Sequence, residues 1–177
     1  MPTRDRLLTV PNVLSLSRVV LAAAFVLVRE PTARLVLVVV AALTDFLDGW
    51  LARHAGGSSR WGALIDPIGD RVFALVAVTA FLVEGQLSTL QYFVLLSRDI
   101  MTAIGFVVAR LVSWLRPVEF KARYLGKVVT TLQLATLVVI LLWPDWTTAL
   151  VAMVGVASLA SIADYTLALW RARARVA

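Results

Sequence analysis

The stretch Asp45-Phe46-Leu47-Asp48-Gly49-Trp50-Leu51-Ala52-Arg53, followed after eight residues by Gly62-Ala63-Leu64-Ile65-Asp66-Pro67-Ile68-Gly69-Asp70, sets four carboxylates into a chain that is otherwise oil. Of its 177 residues 60% are hydrophobic and only 16% charged; the mean hydropathy is +0.88. An ionisable side chain inside a membrane segment is expensive and marks a functional site by default. Four acids this close repel one another unless a cation lies among them. A pair of divalent metal ions is the economical occupant.

Working outward, the long apolar runs exclude an ordinary soluble domain, which would alternate apolar stripes with charged faces. Each run approaches the ~20 residues that cross a ~30 Å hydrocarbon core. The reading is all-α: a polytopic membrane protein with six transmembrane helices, forming one domain over residues 1–177. The spans are expected near 11–29, 33–53, 62–84, 89–114, 125–143 and 147–170. Arg29-Glu30-Pro31-Thr32, Gly56-Gly57-Ser58-Ser59, Gly85-Gln86-Leu87-Ser88 and Pro144-Asp145 break them. Pro11, Asn12 and Arg18 interrupt the first apolar segment, so it is expected to stay as a helix rather than be cleaved as a signal peptide. There is no cysteine, which excludes disulfides and thiolate metal sites.

The net charge of +6 fits basic loops against anionic headgroups of membrane lipids, and no nucleic-acid partner is expected. Arg4, Arg6, Arg53, Arg60 and the basic residues of 116–127 and 171–175 fall on one side of the six spans; Arg29 and Arg34 fall on the other. The positive-inside rule then puts both termini and the aspartates at the cytoplasmic face of a cell membrane, around a cytoplasm-facing polar cavity. Trp143 and Trp146 are expected at the outer interface, Trp114 and Trp170 at the inner one. His54, the lone histidine, is expected to be solvated.

Spacing gives the acids a common geometry. Asp45 and Asp48 are three residues apart and share a helix face; Gly62, Asp66 and Asp70 recur every four residues on the next helix. A hairpin of these two spans brings the stripes together. All-oxygen ligands suit a hard cation, Mg²⁺ or Mn²⁺. Two such ions about 3.5–4 Å apart clamp both sides of a phosphoryl displacement. Gly49, Ala52 and Gly62 clear room for a substrate, or serve tight helix packing. Arg53 offers a fork for phosphate oxygens. Arg18 faces either the cavity or another helix. A divalent-cation transporter would continue its polar residues across the membrane, whereas spans three and six are apolar toward the outer side, apart from Glu84 at the boundary. A catalytic site is the better reading.

The pattern D-x2-D-G-x2-A-R-x8-G-x3-D-x3-D, carried by Asp45, Asp48, Gly49, Ala52, Arg53, Gly62, Asp66 and Asp70, resembles the CDP-alcohol phosphotransferase family at every defined position. Pro11-Asn12-Val13-Leu14-Ser15-Leu16-Ser17-Arg18 looks like the first helix of its bacterial phosphatidylglycerophosphate and cardiolipin synthases. The resemblance implies a six-helix fold, a homodimer, and metal ions held by Asp45, Asp48, Asp66 and Asp70, with Asp70 also the general base. It implies CDP-diacylglycerol as donor, bound near Asp48, Gly49, Ala52, Arg53 and Gly62, and CMP as leaving group. Asn12 and Ser15 are candidates for hydrogen bonds to the nucleotide, with helix capping the other role for Asn12. A phosphorylated acceptor needs a basic pocket, and Arg98, Arg110, Arg123 and Lys127 are its candidates. Gly126-Lys127-Val128-Val129-Thr130-Thr131-Leu132-Gln133 resembles a G-K-x-K-T-x-x-Q stretch of phosphatidylglycerophosphate synthases, with Val129 in place of the second lysine. Ser97-Arg98-Asp99 looks more like the cardiolipin synthases. Glycerol-3-phosphate is the favoured acceptor, phosphatidylglycerol the alternative. Arg98 pairs with Asp99 or Asp70 if its role is structural. Asp164 and Tyr165 are further polar candidates in the last span.

Overall fold

The structure, a computed structural model, describes the backbone of residues 10–54, 62–111 and 124–173 and the side chains of 17–47, 71–105 and 125–167. Among the described residues there are six α-helices and no strand: α1 (Val10–Leu27), α2 (Pro31–His54), α3 (Gly62–Val83), α4 (Thr89–Leu111), α5 (Tyr124–Leu142) and α6 (Thr147–Arg173). One 3₁₀ turn over Pro144–Trp146 joins the last two. Among the described residues, Leu125–Leu142 and Pro144–Leu167 are long and apolar enough to cross a membrane, and the described side chains of α1 and α3, 17–27 and 71–83, form further apolar stretches. Val20, Leu27, Val83, Val156 and Leu159 are each at least 65% exposed. Exposed aliphatic side chains in this number, on apolar helices, fit a membrane protein.

The helix ends are built from local chemistry. Pro31 opens α2 with its ring preset for the first turn. The Glu30 carboxylate accepts from the backbone N–H groups of Thr32 (3.0 Å) and Ala33 (2.5 Å), two of the donors a helix start leaves orphaned. These bonds hold the Glu30 carboxyl below its ordinary pKa. After α3 the chain turns at Gly85, whose φ of +74° admits glycine without strain. The Gly85 N–H donates to Leu82 O (3.0 Å) and the Gln86 N–H to Phe81 O (2.9 Å), a Schellman stop. Two residues later a capping box starts α4: the Gln91 N–H donates to Ser88 Oγ (3.3 Å), and the Ser88 N–H to Gln91 Oε1 (2.9 Å).

The chain forms two compact units, Met1–Gln86 and Leu87–Ala177. In the first, α1 packs chiefly against α3 and less extensively against α2. Phe25 meets Phe73 and Phe81 edge to face, at 5.8 and 5.5 Å between ring centres. All three rings are buried. Each such pair contributes about 0.5–1.5 kcal/mol beyond area burial. That matters where lipid removes the usual hydrophobic drive between helices. Against the rings lies Arg34 of α2, with its guanidinium carbon 4.9 Å from the Phe25 centre. It donates to both oxygens of Glu84 at 2.6 Å and to the Val28 carbonyl at 2.7 Å. This bidentate pair ties the start of α2 to the end of α3, at the opposite end of both helices from the acidic pattern.

In the second unit, α6 packs on both α4 and α5. Gln91 Nε2 donates to Thr148 Oγ1 at 3.2 Å, and further along both helices Gly155 lies against Val94. So α4 and α6 run parallel. A Cβ on Gly155 would stand 3.0 Å from the valine methyl, which is why a glycine permits that approach. Trp143 and Trp146 are 58% and 64% exposed at the α5–α6 turn, as membrane-interface anchors would be.

Candidate active site

All eight residues of the acidic pattern are helical, at two covalently adjacent helix ends. Asp45, Asp48, Gly49, Ala52 and Arg53 occupy the last turns of α2, and Gly62, Asp66 and Asp70 the first turns of α3. The side chains of Asn12, Ser15, Asp48, Ala52, Arg53, Asp66, Asp70 and Arg110, the space around Gly49 and Gly62, and the whole of Arg123 lie outside the described residues, as do the side chains of His54, Trp114 and Trp170. Asp45 is described. Its side chain is 40% exposed and stands 3.5 Å from Nη1 of Arg18, whose own side chain is 2% exposed. Arg18 of α1 therefore turns inward, toward one of the four acids. A guanidinium taken out of solvent needs such a counter-charge.

Four carboxylates would suit a divalent ion, since hard cations take such ligands, and Asp45, the one whose side chain is described, is 40% exposed. Among the described residues no group of three potential ligands assembles, since Asp45 alone of the four has a described side chain.

The second unit gathers another polar group. Arg98 of α4 is 9% exposed, and its Nη1 donates to Asp99 Oδ1 at 2.9 Å. Of the two partners the sequence offers Arg98, the structure shows Asp99, and the side chain of Asp70 lies outside the described residues. From α5, Gln133 Nε2 donates to Asp99 Oδ2 at 2.9 Å and to the Leu95 carbonyl at 2.6 Å. Lys127 is exposed one residue from Gly126, which faces Arg98. Val129, where the resemblance has a second lysine, is fully buried. Asp164 and Tyr165 are half-buried on α6.

Sequence reasoning passed over several of these residues. Gln133 entered only as the last letter of a motif, and Gly126 as its first. The hydroxyls of Ser158 and Ser161 on α6, buried and without a hydrogen-bond partner among the described residues, had no sequence signal at all.

The model of the CDP-alcohol phosphatidyltransferase family matches residues 8–166, nearly the whole chain and all of the acidic pattern. The chain belongs to that family. The chain is 42% identical over 110 residues to the CDP-diacylglycerol--glycerol-3-phosphate 3-phosphatidyltransferase of Aquifex aeolicus (strain VF5); the match covers 58% of this chain and 62% of that protein. It is 34% identical over 146 residues to the protein of the same name from Escherichia coli (strain K12), covering 77% of this chain and 78% of the relative. The protein of that name from Shigella flexneri serotype 5b matches to the same extent.

Proposed function

We propose that this protein is a phosphatidylglycerophosphate synthase, transferring a phosphatidyl group from CDP-diacylglycerol to glycerol-3-phosphate. The observation that carries the reading is the family match running through all eight residues of the acidic pattern at the adjoining ends of α2 and α3. Relatives at 34–42% identity that bear the name of this activity support the choice of acceptor.

In this reading Asp45, Asp48, Asp66 and Asp70 hold Mg²⁺ or Mn²⁺, which when bound neutralises the diphosphate of the donor. Gly49, Ala52 and Gly62 leave room for the nucleotide, with Asn12 and Ser15 beside it, and Arg53 binds phosphate oxygens. Asp70 takes the proton of the acceptor hydroxyl as its oxygen attacks the lipid-side phosphorus. A new phosphorus–oxygen ester bond forms, the diphosphate bond breaks, and CMP leaves with the electron pair. Arg98 and Lys127, with Arg110 and Arg123, supply positive charge for the acceptor phosphate.

Six membrane spans, a homodimer, and an acidic site facing the cytoplasm complete the proposal. The distribution of Lys and Arg at the span ends supports the orientation, with Arg29 and Arg34 alone on the opposite side. The buried Val129 and the Arg98–Asp99 sequence favour a second acceptor, phosphatidylglycerol, as the reading to be tested against the first. Asp70→Asn tests the chemistry. It should abolish CMP release while isothermal titration still detects Mn²⁺ binding through the remaining acids. Undiminished turnover in this variant would remove Asp70 as the base.

A further inference from the structure

Arg98 is held on one side only. Its Nη1 is engaged by Asp99 Oδ1 at 2.9 Å. Its Nε is buried and has no hydrogen-bond partner among the described residues. Nη2 points at Gly126 so closely that a Cβ there would stand 2.5 Å from it and 3.5 Å from the guanidinium carbon. Nε and Nη2 form the side edge of the guanidinium, the edge that grips two oxygens of a phosphate at once. The described contacts leave that edge unspent, and Gly126 keeps a side chain off it.

What holds the other side is a chain of bonds reaching across α4 and α5. Asp99 offers Oδ1 to Arg98, while Gln133 donates from Nε2 to Asp99 Oδ2 and to Leu95 O. Gln133 is 2% exposed and spends both amide hydrogens on these two acceptors. Turning the amide over would set its carbonyl oxygen against two other oxygens, so chemistry fixes its orientation. Asp99 is thereby fixed, and through it the plane of the guanidinium. A buried fork with a preset plane loses little freedom when it binds.

We infer that Gln133 and Gly126 are positioning residues that hold the side edge of the Arg98 guanidinium ready for the phosphate of the acceptor, and so select phosphorylated acceptors. The inference rests on the proposal that Arg98 binds the acceptor, and it assigns α5 a part in specificity. Gln133→Glu would set a carboxylate against Asp99 and Leu95 O and pull Arg98 toward itself. Gly126→Ala would put a methyl group on the binding edge. Gln133→Met removes both hydrogen bonds at similar volume and adds no charge.

The test is steady-state kinetics of the purified full chain in lipid nanodiscs, following CMP release, with inorganic phosphate as a competing anion. Gln133→Met and Gly126→Ala should each raise KM for glycerol-3-phosphate at least tenfold. The inhibition constant for phosphate should rise in parallel, while KM for CDP-diacylglycerol and kcat at saturating acceptor stay within about threefold. A merely structural role would lower the active fraction, and hence kcat, at unchanged KM; that result overturns the inference. Arg98→Lys keeps the charge and removes the fork. If it leaves the acceptor KM unchanged, the assignment of Arg98 to the acceptor falls, whatever the α5 variants do. If it raises KM while the α5 variants do not, only the positioning role falls. In the Arg98→Lys background Gly126→Ala should add less than twofold, since the edge it blocks is gone; a full tenfold addition would contradict the proposed contact.

Discussion

Replacing Glu84 should destabilise the protein more than replacing Arg34, although the two form one ion pair. The asymmetry comes from burial: the Arg34 side chain is 3% exposed, whereas 28% of the Glu84 side chain reaches solvent. Among the described residues, Glu84→Ala leaves the guanidinium facing the Val28 carbonyl and two aromatic rings. Removing one partner of a buried pair costs roughly 3–5 kcal/mol, and partial access of solvent at this site brings the expectation to about 2–4 kcal/mol. Arg34→Met leaves a carboxylate that water can reach and a thioether that still packs on Phe25 and Phe81, so about 1–2 kcal/mol is expected. At about 2–4 °C per kcal/mol for a chain of this size, Glu84→Ala should lower Tm by about 5–12 °C and Arg34→Met by about half as much or less. The double variant should resemble Arg34→Met alone, because once the guanidinium is gone nothing is left stranded. Thermal unfolding in detergent, read by tryptophan emission, gives all three numbers. An equal or larger loss for Arg34→Met, or a double variant whose loss is the sum of the two, would refute the reasoning.

The same pair sets a pH dependence. Hydrogen bonds from Arg34 hold the Glu84 carboxyl below its ordinary pKa. The stabilisation is therefore complete above the ordinary carboxylate value and drains away as pH falls through the depressed one. The Tm difference between wild type and Glu84→Ala should hold from pH 8 to 6 and close below about pH 4.

Further expectations concern the helix ends and the metal. Gly85→Ala should cost about 1 kcal/mol through backbone strain alone, because its φ is +74° and nothing lies within 4 Å of the added methyl; a Tm unchanged within 1 °C would contradict this. Ser88→Ala removes the capping-box hydroxyl at the start of α4 and should cost about 1 kcal/mol, measured in the same unfolding experiment. Chelation with EDTA should stop CMP release, and added Mg²⁺ or Mn²⁺ should restore it, with no change in the far-UV circular dichroism of the helices. Turnover that persists in EDTA would argue against the metal role of the four aspartates.

Much of the fold was legible because hydropathy and turn residues are local signals. The expected spans near 33–53, 62–84 and 125–143 differ from α2, α3 and α5 by a residue or two at each end. The Gly85-Gln86-Leu87-Ser88 break turned out to be a Schellman stop beside a capping box. The Arg34–Glu84 pair was not legible, because it depends on the register of α2 against α3, fifty residues apart. Arg18 was undecided for the same reason: only the packing of α1 shows that it turns toward Asp45. The acidic pattern was expected on helices, and its backbone lies in α2 and α3. The Gln133–Asp99–Arg98 chain was not legible. A glutamine in an apolar helix has many acceptors to choose from, and its partners emerge only when α5 is laid on α4.

Transfer of a phosphatidyl group onto glycerol-3-phosphate is the reaction proposed for the acidic site. The most direct test is CMP release by the purified chain with CDP-diacylglycerol and Mg²⁺, supplied with glycerol-3-phosphate or phosphatidylglycerol in parallel. Stoichiometric CMP and phosphatidylglycerophosphate should form with glycerol-3-phosphate. Release with phosphatidylglycerol alone would contradict the account.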